Sequence, residues 1–142
     1  MKVADWIRAH PGRTLTIAPS ASLEEALDRM LEVHGARDIY VSTDDGAVVG
    51  HLSHRRLAQS FLLEHSHFHT RRQLMERVVG ATVEEFMDGH PVFAHPDEEL
   101  DNVLQRQLDH DVEDMLVIDE VGSVLGAVNL SEVLREFRLE VS

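Results

Sequence analysis

The sequence predicts an α/β fold: two tandem βαββα-type units packed through their sheets about a pseudo-twofold axis. Three observations predict it. The chain repeats itself over most of its length, each copy runs through helical and extended patterns in the same order, and each copy holds a turn signal between two apolar runs. Shifted by 77, Pro19, Leu23, Leu27, Arg29 and Leu31 fall on Pro96, Leu100, Leu104, Arg106 and Leu108. Shifted by 76, His34, Asp38, Val41, Gly46, Val48, Gly50 and Phe61 meet His110, Asp114, Val117, Gly122, Val124, Gly126 and Phe137. A tandem duplication of roughly sixty residues explains both shifts, and such a period decides the architecture before any local motif does. The expected organisation is a first repeat over residues 1–61, a helical connector over 62–80 and a second repeat over 81–142.

Each element has its own justification. The repeats open with short helices, Val3 to Ala9 and Thr82 to Met87, in which Trp6 and Phe86 occupy equivalent core-plugging positions. Brief extended pieces follow, Leu15-Thr16-Ile17 and Val92-Phe93-Ala94, before Pro19 and Pro96 turn the chain into a longer helix. In the first copy Ser22-Leu23-Glu24-Glu25 is a capping box, which satisfies early backbone N–H groups. Leu23, Ala26, Leu27, Met30 and Leu31 lie on one face at helical spacing, as do Leu100, Val103, Leu104 and Leu108 in the second copy. Two strands then flank a tight turn: Ile39-Tyr40-Val41 and Ala47-Val48-Val49 around Asp45-Gly46, and Met115-Leu116-Val117-Ile118 and Ser123-Val124-Leu125 around Gly122. Glycine there accepts the positive φ that such hairpins need. Gly50 and Gly126 interrupt the second strands, which weakens pairing unless a backbone or a ligand comes close. Closing helices run from Ser53 and Asn129.

Composition narrows the function. The 142 residues contain no cysteine, which excludes thiolate catalysis, Cys-type zinc sites and iron–sulfur clusters. Thirteen basic residues face 26 acidic ones, for a formal net charge of −13. That field repels nucleic acid unless a basic face is segregated, and the five arginines of residues 51–77 are too few for a nucleic-acid track. No apolar run suffices for a membrane span or a signal core, so no membrane insertion is expected and a cytoplasmic location is. Gly-x-Ser-x-Gly, P-loop and Gly-rich dinucleotide motifs are missing, which argues against an enzyme.

The stretches Thr16-Ile17-Ala18-Pro19, Ile39 through Gly50, and Leu52-Ser53-His54-Arg55-Arg56-Leu57, with Ala94-His95-Pro96, Met115 through Gly126 and Val128-Asn129-Leu130-Ser131-Glu132-Val133, together carry a resemblance. The chain resembles a tandem pair of cystathionine-β-synthase-type (CBS) domains, the Bateman module. The resemblance implies a regulatory module that binds an adenosine-containing nucleotide (AMP, ATP or S-adenosylmethionine) in the cleft between the repeats. Binding would be transmitted through a homodimer or to an effector enzyme or transporter. It also implies that Ile17, Tyr40, Ser53 and Arg56, with Ala94, Leu116, Asn129 and Glu132, line the nucleotide sites. In the family a hydroxyl residue contacts phosphate or caps the helix, and an Asp three residues later accepts from the ribose. Here that acid is Arg56 in one copy and Glu132 in the other. Arginine has no acceptor, so the second copy is the better ribose site and the first favours a phosphate or no ligand. The proline usual in the hairpin's first strand is Tyr40 or Leu116.

Two clusters suggest other chemistry. His65 and His69 in His65-Ser66-His67-Phe68-His69 would share a helix face at i, i+4, a candidate pair of metal ligands. Asp109 to Asp114 is acidic but lacks EF-hand spacing, which favours a solvated loop over a cation site. Arg71, Arg72 and Arg77 suit salt bridges in so acidic a chain. The alternative reading is a structural homodimerisation module without nucleotide, tuned by metal or pH through the histidines.

Overall fold

The computed structural model describes residues 1–11, 14–33, 36–65 and 81–141. They form a mixed α/β fold in the order α1 (Val3–Ala9), β1 (Thr16–Ile17), α2 (Leu23–Glu32), β2 (Asp38–Ser42), β3 (Val48–Ser53), α3 (His54–His65), α4 (Val83–Phe86), α5 (Leu100–His110), β4 (Asp114–Ile118), β5 (Val124–Asn129) and α6 (Leu130–Val141). Two compact units result. One comprises residues 15–91; the other joins residues 1–14 to 92–142.

In the 15–91 unit, β2 lies between β1, to which it is parallel, and β3, to which it is antiparallel. The Asp45-Gly46 turn reverses the chain as its sequence predicts, with Gly46 at φ +88°. α2 begins where the capping box puts it: Ser22 Oγ accepts from Glu25 N–H at 3.0 Å. Its apolar face brings Leu23, Ala26 and Met30 against Ile17, Ile39, Val41 and Leu52. The unit is completed by α4, from the start of the second repeat. Leu23 N–H donates to the Ala81 carbonyl, Val83 N–H to Ala21 and Glu84 N–H to Pro19.

The other unit repeats the scheme with α1 in the place of α4. Val3 N–H donates to the Glu98 carbonyl, Ala4 N–H to Pro96 and Leu100 N–H to Met1. Each repeat's leading helix therefore packs in the unit built on the other repeat's sheet. Trp6 is buried in the cluster formed by Val3, Leu100, Val103, Met115, Val117 and Val128, and its ring stacks on His10 at 3.7 Å. Phe86 is only partly buried against the opposite cluster. The Val92-Phe93-Ala94 piece, expected as a strand, makes a single parallel bridge between Ala94 and Val117. The Phe93 carbonyl, which faces away from that bridge, accepts from the Arg106 guanidinium at 2.6 Å.

The same guanidinium grips Glu98 through two hydrogen bonds, at 2.5 and 3.0 Å. These bonds hold the Glu98 carboxyl below the usual carboxylate range. A depressed pKa stabilises the fold above the unfolded value, about 4.3, and that stabilisation is lost as pH falls through the folded one. The side chains are 30% and 23% exposed, so solvent screening limits the contribution to about 1 kcal/mol. Urea midpoints should therefore show Glu98→Gln weaker than the native chain at pH 7, with the gap closing as pH falls below about 4.

Candidate functional site

Both closing helices begin in the same way. Ser53 ends β3, and its Oγ accepts from Arg56 N–H at 3.0 Å; Asn129 ends β5, and its Oδ1 accepts from Glu132 N–H at 2.9 Å. The residue before the first strand of each hairpin closes the same contact: His54 N–H donates to the Arg37 carbonyl and Leu130 N–H to Glu113, both at 2.9 Å. Ser53 and Asn129 are thus helix caps, a role each side chain performs on its own helix.

The charges around these starts are opposite. Arg37, Arg55 and Arg56 surround the start of α3, where the second copy has Glu113, Ser131 and Glu132. Arg56 Nε also donates to the Phe86 carbonyl at 2.6 Å, which ties its stem to the end of α4. At α6 the Glu113 carboxylate accepts from both the backbone N–H and the hydroxyl of Ser131. Asp114 accepts from Asn129 Nδ2 at 2.6 Å. Gln107, buried where the first copy has Met30, holds the Glu113 carbonyl at 3.0 Å and that of Val128 at 2.9 Å. An anion arriving at α6 would meet three carboxylates, those of Glu113, Asp114 and Glu132. One arriving at α3 would meet a single carboxylate, Asp38, in a stretch that also carries Arg37, Arg55 and Arg56.

Cross-strand partners point to the same face of a sheet. The pairs Asp38–Ser53 and Tyr40–His51 put these four residues on one face of the β2–β3 hairpin. Asp114–Asn129 and Leu116–Ala127 do the same in the other unit. Tyr40 and Leu116 are buried, while Glu132 is half-buried and Arg56 exposed. Ile17 and Ala94 lie within the two apolar clusters, on the side of each sheet that packs helices. The geometry so joins Ser53 with Tyr40 and Asn129 with Leu116, and sets Ile17 and Ala94 apart from them. One pair escaped the sequence reading: His51 Nε2 lies 2.7 Å from Asp38 Oδ1, with the Tyr40 ring 4.9 Å from the imidazole. Gly50 and Gly126 are approached by protein, by Met87 and Ile7 respectively.

His65 is the last residue of α3, and His69 lies outside the described residues, as do Arg71, Arg72 and Arg77. Among the described residues no group of three or more His, Asp or Glu could hold a metal ion. A groove of about 940 Å³ beside the second hairpin turn is lined by His95, Asp97, Glu98, Asp119 and Glu120. It lies at the opposite end of the hairpin from Asn129 and is too acidic for a phosphate.

The CBS domain model matches residues 7–62 and 83–139. The chain belongs to the CBS domain family. Its two CBS domains are the two repeats, and its fold is found in solved CBS pairs. A CBS domain-containing protein of Thermotoga maritima is 29% identical, with 94% of this chain and 92% of that one covered at a TM-score of 0.72. The CBS domain pair of the protein MJ0100, in complex with 5′-methylthioadenosine and S-adenosyl-L-methionine, is 20% identical, with 99% and 98% covered at 0.75. CBSX2 of Arabidopsis thaliana in complex with AMP is 20% identical, with 99% and 98% covered at 0.71. No curated protein matches the chain. Among the described residues no helix of this CBS pair is long and apolar enough to cross a membrane.

Proposed function

We propose that this CBS pair is a regulatory, non-catalytic module that senses adenosine-containing ligands and passes their binding to a homodimer or an effector protein. The observation that carries the reading is the pair of equivalent helix starts with opposite charge. Solved CBS pairs of the same fold, holding AMP in one case and 5′-methylthioadenosine with S-adenosyl-L-methionine in another, support the ligand class. The start of α3, with Ser53 and Arg56 beside Arg37 and Arg55, suits a phosphorylated nucleotide such as AMP or ATP. The start of α6 suits a nucleoside without phosphate, S-adenosylmethionine above all. There Glu132 would accept from ribose hydroxyls, and the surrounding carboxylates would favour a sulfonium and an ammonium group over a phosphate.

Thermal unfolding tests both halves. At a ligand concentration of 100 times Kd the stabilisation should be about 2.7 kcal/mol, several degrees in Tm. Arg56→Ala should remove the response to AMP and ATP and keep that to S-adenosylmethionine; Glu132→Ala should do the reverse. A native chain that responds to none of the three would refute the reading.

The second reading, a dimerisation module without nucleotide, is favoured by exposed apolar side chains at equivalent helical positions. Leu31 on α2 is 70% exposed and Leu108 on α5 is 63% exposed, and Leu134 and Phe137 stand one turn apart on α6. It predicts a ligand-independent dimer by sedimentation.

A further inference from the structure

The 15–91 unit has an arginine where the ribose acceptor would stand, and Arg56 can only donate. A different acceptor lies on the same sheet face as Ser53. Asp38 is 3% exposed, and its Oδ1 is 2.7 Å from His51 Nε2. Beside that carboxylate the neutral imidazole donates from Nε2, which leaves its lone pair on Nδ1. The ring is held by Asp38 and Tyr40, and its backbone by Asp88. The Tyr40 ring tilts against the imidazole at 4.9 Å, His51 N–H donates to the Asp88 carbonyl at 3.0 Å, and Asp88 N–H donates back at 2.8 Å. Among the described residues the one buried side-chain atom without a partner is Gln107 Oε1. The His51 side chain keeps 13% of its surface exposed, and Nδ1 is not among such buried atoms. The other unit has no such device: the equivalent positions are Ala127 and Leu116, and Asp114 is held by the Asn129 amide.

We propose that His51 Nδ1 is the hydrogen-bond acceptor for a nucleoside on the 15–91 unit, and that Asp38 is the residue that positions it. The inference rests on the nucleotide-sensing reading above and names the group that replaces the missing acid. The donor it reads is an O–H of the ribose or the amino N–H of adenine, two groups that present the same chemistry to an imidazole lone pair.

The test is calorimetric titration of the native chain and His51→Ala with AMP, 2′-deoxy-AMP, 3′-deoxy-AMP and inosine monophosphate. His51→Ala should weaken AMP about fivefold to tenfold, the range of one neutral hydrogen bond. One analogue should show that loss already with the native chain and no further loss with the variant; a deoxy analogue assigns the ribose, the inosine nucleotide the amino group. Since His51→Ala leaves a buried carboxylate, the double variant D38N/H51A serves if the single one does not fold, with the same expected losses. In D38N alone, imidazole ¹⁵N shifts should change from the Nε2–H form to a tautomer mixture, with AMP binding weakened less than by His51→Ala. Equal AMP affinity with and without His51, or an equal loss for every analogue, would overturn the proposal and leave the nucleotide reading intact. A native chain that binds none of these nucleotides would overturn both.

Discussion

Gly50→Ala should destabilise the protein by about 1–3 kcal/mol, the usual cost of forcing an atom into a filled site. Gly126→Ala, its counterpart in the second repeat, should change stability by less than about 0.5 kcal/mol. A Cβ on Gly50 would come within 2.2 Å of Met87 Sδ, 2.9 Å of Met87 Cγ and 3.2 Å of the Asp88 carbonyl oxygen. The methionine can swing aside. The carbonyl cannot follow, because it accepts from His51 N–H at 3.0 Å in the bridge that pins this segment to β3. On Gly126 the nearest atom would be Ile7 Cβ at 3.4 Å, an ordinary van der Waals contact. Urea unfolding of the two variants measures the difference; equal costs would mean that the close approach at Gly50 is not what holds a glycine there.

A larger loss is expected for Trp6→Ala, about 3–5 kcal/mol for emptying a buried aromatic site. Trp6 is 4% exposed, fills the cluster under β4 and β5, and stacks on His10, whose Nδ1 lies 3.0 Å from the Trp6 carbonyl. Phe86, its sequence counterpart, is only partly buried, so Phe86→Ala should cost about 1–2 kcal/mol from the smaller apolar area it withdraws from water. Calorimetric unfolding should rank the variants in that order, and hydrogen exchange should show β4 and β5 losing protection first in Trp6→Ala. A loss confined to α1 and β1, neighbours in sequence, would contradict the placement of Trp6.

Much of this architecture can be read without coordinates because it is local. The Asp45-Gly46 turn requires a positive φ, and Ser22 has a donor to accept three residues later. The 3.6-residue period of Leu23, Ala26 and Met30 leaves one face to bury. The exchange of leading helices could not be read in this way. α1 and α4 have similar apolar patterns, and nothing in Trp6 or Phe86 says which sheet each will meet; that choice is made by contacts between residues such as Val3 and Glu98, far apart in the chain. The site divides along the same line. The opposed charges of Arg56 and Glu132 are visible at once, since the repeat aligns them. The Asp38–His51 pair becomes visible only with the strand register, because folding the hairpin about its turn sets Tyr40 opposite His51 and brings Asp38 within reach. Ile17 and Ala94 show the converse: they belong to matching motifs, yet the parallel pairing of their segments turns both toward the helices.

The exchanged helices also decide what half of this chain would lack. Cut before Ala81, it would keep α1 and lose α4, and with α4 the Met87 side chain and the Asp88 backbone that lie against Gly50 and His51. Since α1 and α4 share a pattern, the vacated place would admit the leading helix of the same half or of a second copy, so a lone repeat would have two ways to close.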